Sequence, residues 1–148
     1  MKILVDADAC PVKTIIAKAA IARNLEILWV ASIDHEIAMP TGTVMRVDAG
    51  NDAADHAIIG HTDHTCLVIT QDYGLAALCL AKGARVLHPE GWAYEQETID
   101  GLLARRHMHH MIRRAGGRHK GPHKRKKDAD KRFETVLEQH LDAYSLHE

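Results

Sequence analysis

The sequence predicts an α/β fold in three layers, in which a central, mostly parallel sheet of about 4–5 strands carries helices on both faces. Short apolar segments typical of strands alternate along residues 1–94 with segments of helical periodicity. Such alternation is typical of parallel sheets built from βαβ units. The chain has 148 residues, 46% of them hydrophobic, which is enough to bury one core.

The individual elements follow from apolar runs and the residues that bound them. Pro11 suits the first position of a helix, Asn51 or Asp52 can cap a second helix, and Gly83 can end a third. The predicted strands cover residues 2–6, 26–31, 43–47, 66–70 and 85–87. The predicted helices cover residues 11–23, 52–60, 74–82, 95–114 and 130–146.

The charges divide the chain into an acidic body and a basic arm. Residues 1–100 carry 7 Lys and Arg against 14 Asp and Glu, whereas residues 101–133 carry 12 against 2. We therefore predict an α/β core over residues 1–94 and a basic helical extension over 95–148 that packs on it, with a mobile loop at 116–128. A dense cationic segment favours a polyanion such as nucleic acid, with a solvated surface as the alternative.

Several classes of protein are disfavoured. No apolar run is long enough to span a bilayer, and the first residues lack the charged flank and apolar segment of a signal peptide, so we expect a cytoplasmic protein without membrane contact. Cys10, Cys66 and Cys79 are odd in number and lack C-x-x-C spacing, which predicts buried, reduced thiols. The histidines at 61–64 and 107–110 lack the spacing of a helical zinc protease and are interpreted as surface residues.

Carboxylates follow the predicted strands. Asp6 ends the first strand, Asp8 lies two residues beyond it, and Asp72 comes just after the strand at 66–70. Asp52 and Asp55 are three residues apart in a helical first turn and therefore point to the same side. The carboxyl ends of parallel strands meet at one edge of a sheet, where open α/β sheets bind ligands. All five carboxylates are therefore expected along that edge.

Clustered carboxylates repel one another unless a cation lies among them. Oxygen ligands suit Mg²⁺ or Mn²⁺, and these ions can activate a bound water. The sequence thus predicts metal-assisted phosphodiester hydrolysis. Asp6, Asp55 and Asp72 are the predicted ligands of the first ion, with Asp8 and Asp52 behind them or on a second ion.

Structural roles are the alternative for most of these residues. Asp52 and Asp72 are placed to cap helices, and Asp8 could cap the helix that follows it. Asp6 is harder to explain in this way, because it ends an apolar strand, where a carboxylate has little structural purpose. Thr70 is either a turn hydroxyl or a ligand to phosphate or to a metal-bound water.

Cationic residues provide the predicted contacts to phosphate. Lys13 lies in the first turn of its helix, where the helix dipole disfavours a cation, and this indicates a phosphate or carboxylate partner, with a solvated lysine as the alternative. In the arm, cations are expected to bind nucleic acid, and the resemblance described below implies RNA. They are Arg118, Lys120, Lys124, Arg125, Lys126 and Lys127.

Four segments, in order along the chain, resemble the YaiI/YqxD family of bacterial proteins. They run from Val5 to Lys13, from Gly50 to Asp55, from Val68 to Ala76 and from Arg114 to Pro122. The resemblance implies a PIN-like fold, related to that of the PIN nucleases, in which acidic residues at the carboxyl edge of a parallel sheet bind divalent metal and cut RNA.

Two other classes stay open. A non-catalytic RNA-binding or ribosome-associated protein would use the basic arm and keep the acidic pocket for a structural metal. Asp6 and Asp8 also resemble the opening motif of haloacid-dehalogenase-type phosphatases, and Thr70 lies in a segment that resembles their second motif. That superfamily, however, places its acidic pair after the threonine, whereas Asp52 and Asp55 precede Thr70.

Overall fold

One sheet organises the residues that the computed structural model describes, which are 1–8, 10–33, 38–50, 52–101, 104–105, 125 and 128–145. Its strands have the order β3-β2-β1-β4-β5-β6; β1 to β5 are parallel, and β6 is antiparallel to β5. The predicted fold class is confirmed. The strands are β1 (Lys2–Asp6), β2 (Glu26–Ser32), β3 (Thr43–Val47), β4 (Cys66–Ile69), β5 (Arg85–His88) and β6 (Trp92–Ala93).

Helices cover both faces of this sheet. On one face lie α1 (Lys13–Arg23) and α5 (Ala129–Ser145), and on the other lie α2 (Ala53–His61), α3 (Tyr73–Ala81) and a helical segment at 96–101, here α4. The first helix begins two residues after Pro11 and ends at Asn24, which adopts the left-handed conformation with φ 53°.

The C-terminal predictions are only partly covered by the description. Helix α5 packs on the core through Phe133, Leu137 and Leu141. Most of the predicted helix after residue 101, and the loop at 116–128 apart from Arg125 and Asp128, lie outside the described residues. The proposed division of the chain at residue 94 therefore stays a prediction.

The central strand is apolar on both sides. Ile3, Leu4 and Val5 are each 0% exposed. Because successive side chains of a strand point to opposite faces, Ile3 and Val5 pack under α1 and α5, whereas Leu4 packs under α2 and α3. Burial of one such side chain contributes about 1.5–3 kcal/mol, so the run that precedes Asp6 anchors it firmly in the sheet.

The strand order reverses between β1 and β4. From β1 the chain adds β2 and β3 on one side, and it then returns through α2 to form β4 on the other side of β1. Such a switch point opens a crevice at the carboxyl ends of the strands. Val5 pairs with Ile69 in this register, so the next residues, Asp6 and Thr70, lie at that crevice.

The sixth strand exceeds the predicted count because of a tight turn. Gly91 adopts φ 101° and its N–H donates to the His88 carbonyl at 3.0 Å. The reversal brings Trp92 opposite His88. Residues 85–93, which end the predicted core, thus form a hairpin.

The predictions about the cysteines and about membrane-spanning segments can be compared directly with the structure. Cys10, Cys66 and Cys79 are buried free thiols, as predicted. Within the described ranges, no helix is both long and apolar enough to cross a membrane.

Candidate active site at the carboxyl edge

Asp6 and Thr70 form the centre of the crevice. The Thr70 hydroxyl donates to Asp6 Oδ2 at 2.9 Å and accepts from the backbone N–H of Asp72 at 3.0 Å. Thr70 is only 1% exposed. Its side chain therefore joins the end of β1 to the start of α3 and holds the Asp6 carboxylate in place.

The negative charge of Asp6 is costly in this position. Burial is the largest cause that raises the pKa of Asp6 to about 6; the Thr70 hydroxyl opposes the rise, and Asp55, Asp8 and Asp72 add to it. The acidic neighbours thus act on one carboxyl group from three different elements. A cation at this point would lower the pKa again, since it favours the charged form.

Asp72 caps a helix, which is the structural role predicted as its alternative to metal binding. Its Oδ1 accepts from the N–H groups of Gly74 at 2.8 Å and Leu75 at 3.1 Å, which caps α3. Both bonds use the same oxygen. Capping and metal binding at Asp72 therefore do not require the same atom.

Asp55 lies in the first turn of α2, and Asp52 directly precedes that helix. Burial raises the pKa of Asp55, and Asp72 and Asp52 raise it further. Asp52 occupies the N-cap position, yet its side chain makes no capping hydrogen bond. The capping alternative is therefore not realised for Asp52, which is exposed beside the edge.

Asp8 and Lys13 have contacts that the sequence did not predict. Both oxygens of Asp8 accept from the N–H of Ser32, at 2.9 and 3.1 Å, so Asp8 ties the loop after β1 to the end of β2 instead of capping α1. Lys13 Nζ donates to the carbonyl of Cys10 at 3.1 Å. This contact keeps a cation at the same edge as Asp6.

Tyr94 is a site neighbour that sequence reasoning missed. Its hydroxyl donates to the Thr70 carbonyl at 3.2 Å, and its side chain is 3% exposed. Burial raises the pKa of the Tyr94 phenol, and Tyr73, Asp72 and Asp6 contribute. The available signal was the alternation of Trp92 and Tyr94 after the turn residue Gly91, which is typical of a second hairpin strand.

The arm contributes one described residue to the predicted RNA contacts. Arg125 Nε donates to Asp130 at 2.9 Å, and its Nη2 donates to the Pro89 carbonyl at 3.0 Å. Arg125 therefore attaches the arm to the β5–β6 turn. The other predicted contacts, Arg118, Lys120, Lys124, Lys126 and Lys127, lie outside the described residues.

The chemistry of the side chains at the edge fits a hard divalent cation, because they offer carboxylate and hydroxyl oxygens. Asp6, Asp55 and Asp72 are close enough for the charges of Asp55 and Asp72 to raise the pKa of Asp6. In the described part of the chain, however, no three His, Cys, Asp or Glu side chains already form a group that could hold a metal ion. Binding would require these carboxylates to turn toward a common ion.

The fold and the carboxyl edge of the sheet define the class of protein. It is an α/β protein with a doubly wound, mostly parallel sheet and an acidic crevice at the switch point. A family model described as "Uncharacterized BCR, YaiI/YqxD family" matches residues 4–143. The chain belongs to this family.

Two relatives match nearly the whole chain, and one solved structure superposes on it. A UPF0178 protein of Natranaerobius thermophilus is 46% identical over 94% of this chain and 95% of its own. A UPF0178 protein of Alkaliphilus oremlandii is 47% identical over 96% and 92%. A crystal structure of Rae1 (YacP) from Bacillus subtilis superposes with a TM-score of 0.45 at 15% identity, covering 97% of this chain and 98% of that one.

Proposed function

We propose that the protein is a cytoplasmic, divalent-metal-dependent nuclease that cleaves single-stranded RNA at the carboxyl edge of its sheet. The observation that carries the proposal is the approach of Asp55, Asp8 and Asp72 to Asp6 at the switch point, where all three raise the pKa of Asp6. Titratable groups perturbed by burial and by one another, and placed in a crevice, are typical of functional sites.

Each residue of the acidic edge has its own role in the proposed cleavage. Asp6, Asp55 and Asp72 would hold Mg²⁺ or Mn²⁺, and the bound ion would supply a water of lowered pKa and offset the charge of the phosphate. Thr70 fixes the orientation of Asp6 through its hydroxyl. Lys13, held at the same edge by the Cys10 carbonyl, places a positive charge beside the scissile phosphate.

A non-catalytic RNA-binding protein is the second candidate, and two contacts favour it. Both oxygens of Asp8 accept from Ser32, and one oxygen of Asp72 caps α3. In that case the acidic edge would serve the fold, and the arm alone would bind RNA.

Cleavage of an end-labelled single-stranded RNA by purified protein with Mn²⁺ distinguishes the two candidates. A nuclease should lose more than about 100-fold in cleavage rate in Asp72→Asn, since even groups that only support a metal ligand cost about 10–100-fold when removed. RNA affinity should stay equal or become tighter, because one negative charge facing the phosphates is gone. Asn caps helices nearly as well as Asp, so α3 is preserved.

Asp63→Asn is the matched control. Asp63 also accepts from a nearby backbone N–H, that of Thr65, but at the amino end of β4. This variant should keep the parent cleavage rate. Undetectable metal-dependent cleavage by the parent protein, or equal rates in Asp72→Asn and the parent, would reject the nuclease and favour the RNA-binding protein.

A further inference from the structure

We propose that Trp92, supported by His88 and Tyr94, forms a nucleobase-binding surface beside the acidic edge, so that the site accepts an unpaired base of single-stranded RNA. The inference rests on the proposed function for the identity of the ligand. It gives a role to three aromatic side chains that the cleavage chemistry does not use.

The three rings contact one another on the β5–β6 hairpin. His88 and Trp92 pair across the strands, and their rings stack with centroids 4.5 Å apart and planes 11° apart. The Tyr94 ring lies 4.6 Å from Trp92 and 5.9 Å from His88, tilted against both. These contacts hold Trp92 in one orientation. A base that stacks on Trp92 therefore costs little additional side-chain entropy.

Tyr94 connects this aromatic cluster to the acidic edge. Its hydroxyl donates to the Thr70 carbonyl at 3.2 Å, and the Thr70 hydroxyl in turn donates to Asp6. Tyr94 thus contacts both Trp92 and Thr70, one of the two residues at the centre of the crevice. The aromatic cluster therefore borders the edge at which the proposed phosphate site lies.

The cluster has a buried part and an accessible part. Tyr94 is buried, whereas Trp92 and His88 are half-buried. His88 Nδ1 accepts from the N–H of Glu90 at 2.9 Å, and burial lowers the pKa of His88. The imidazole is therefore neutral near pH 7, and the stacked pair presents an uncharged aromatic surface.

Two guanidinium groups border this surface, and each is paired with a carboxylate: Arg125 with Asp130, and Arg132 with Asp128. Arg125 Nη2 donates to the Pro89 carbonyl at 3.0 Å, and Arg132 Nη2 donates to the Glu90 carbonyl at 3.3 Å, both in the turn that joins β5 to β6. The neutral aromatic surface suits a flat base, whereas a phosphate would have to compete with Asp130 and Asp128 for the guanidinium groups. Stacking of this kind tolerates any base sequence.

Cross-strand aromatic pairs also stabilise hairpins without binding any ligand. The test must therefore detect stacking itself. The chain has two tryptophans, and Trp29 is 0% exposed in the core, where its indole donates to the Thr41 carbonyl. A change in tryptophan emission on ligand binding consequently reports on Trp92.

The full chain is titrated, in the presence of a chelator, with an oligouridylate of about ten nucleotides, which lies within the usual site size. An abasic ribose-phosphate oligomer of the same length is the matched ligand, because it has the phosphates and lacks the bases. We expect the oligouridylate to quench Trp92 emission and the abasic oligomer not to. The abasic oligomer should bind at least about fivefold more weakly, since stacking of one base is worth about 1–3 kcal/mol.

Two substitutions sharpen the result. Trp92→Leu should weaken oligouridylate binding by at least about fivefold and leave abasic binding unchanged, whereas Trp92→Phe, which keeps a ring, should retain most of the affinity. Thermal unfolding of both variants checks that they fold. If Trp92→Leu does not fold, the quenching of the parent protein decides.

The anisotropy of a labelled oligomer shows when binding is saturated. If the tryptophan emission is unchanged at saturation, the inference is overturned. Equal affinity for the two oligomers would do the same. These assays contain no metal and involve no cleavage, so failure of the nuclease proposal does not affect them. Conversely, metal-dependent cleavage whose KM is the same in Trp92→Leu would leave the nuclease standing and reject only the base-binding surface.

Discussion

The two edges of the central sheet hold the same type of side chain in opposite states. At the amino edge Asp63 is exposed, and its pKa is lowered because the hydroxyl and the N–H of Thr65 donate to it. At the carboxyl edge, burial raises the pKa of Asp6 to about 6, and neighbouring carboxylates contribute. One aspartate favours its anion and the other resists it, so the surroundings, and not the residue type, set the pKa of each carboxyl group.

The shape of the surface does not reveal this difference. A cavity of about 690 Å³ opens at the amino edge, lined among others by Lys2, Asn24 and His61. The perturbed carboxylates are at the opposite edge, where the strand order reverses. The candidate site at the switch point therefore does not coincide with this cavity.

The largest expected effect on stability is that of the metal. Mn²⁺ that binds only the folded protein stabilises it by RT ln(1 + [L]/Kd), about 2.7 kcal/mol at 100-fold excess over Kd. Asp6→Asn should abolish the resulting rise in Tm, and Asp63→Asn should keep it. A rise of equal size in both variants would place the ion elsewhere, and no rise in the parent protein at millimolar Mn²⁺ would contradict metal binding.

The pH dependence of stability should also separate the edges. Because Asp6 has a higher pKa folded than unfolded, the folded state binds more protons between about pH 4 and 6, and stability falls as pH rises through that window. A rise from 3.8 to about 6 corresponds to at most about 3 kcal/mol. In metal-free buffer, Asp6→Asn should therefore be about 1–2 kcal/mol more stable than the parent at pH 8, with little gain at pH 4.

Asp63→Asn is again the control, since the pKa of Asp63 is shifted in the opposite direction. It should bring no gain in stability at pH 8. Urea unfolding at both pH values measures the difference. A gain for Asp6→Asn that does not depend on pH would mean that repulsion and burial of the anion are not its cause.

The smallest effect concerns the arm. If Lys124, Lys126 and Lys127 contact phosphates, their replacement by Ala should flatten the log–log dependence of RNA affinity on salt by about 0.7 for each real contact. Lys2→Ala, at the amino edge, should leave the slope unchanged. Arg125 is kept in both proteins because it ties the arm to the Pro89 carbonyl. An unchanged slope in the triple variant would identify these lysines as a solvated surface.

Most of the fold could be predicted because its signals are local. The predicted strands at residues 2–6 and 43–47 have the same bounds as β1 and β3. The short strand β6 was missed because its signal, Trp92 and Tyr94 after the turn residue Gly91, spans too few residues to establish a periodicity. A Cβ at Gly91 would also lie 2.7 Å from the Arg132 Cβ, and this close approach of α5 exists only in the folded molecule.

The candidate site shows the same division. Its position was predictable, because Asp6 and Thr70 end apolar segments and parallel strands bring such ends together. The partners of each side chain were not predictable. Asp8 accepts from Ser32, 24 residues away, and Thr70 donates to Asp6, 64 residues away.

By itself, the sequence determined the α/β class, the strands that end in carboxylates and the family to which the chain belongs, because apolar periodicity and short motifs depend on neighbouring residues. The tertiary structure alone decided which carboxylates become costly anions and which become caps. It also brought Trp92, His88 and Tyr94 together beside the acidic edge. The reason is physical: desolvation, charge repulsion and ring stacking depend on distances between residues far apart in the chain, and only folding sets those distances.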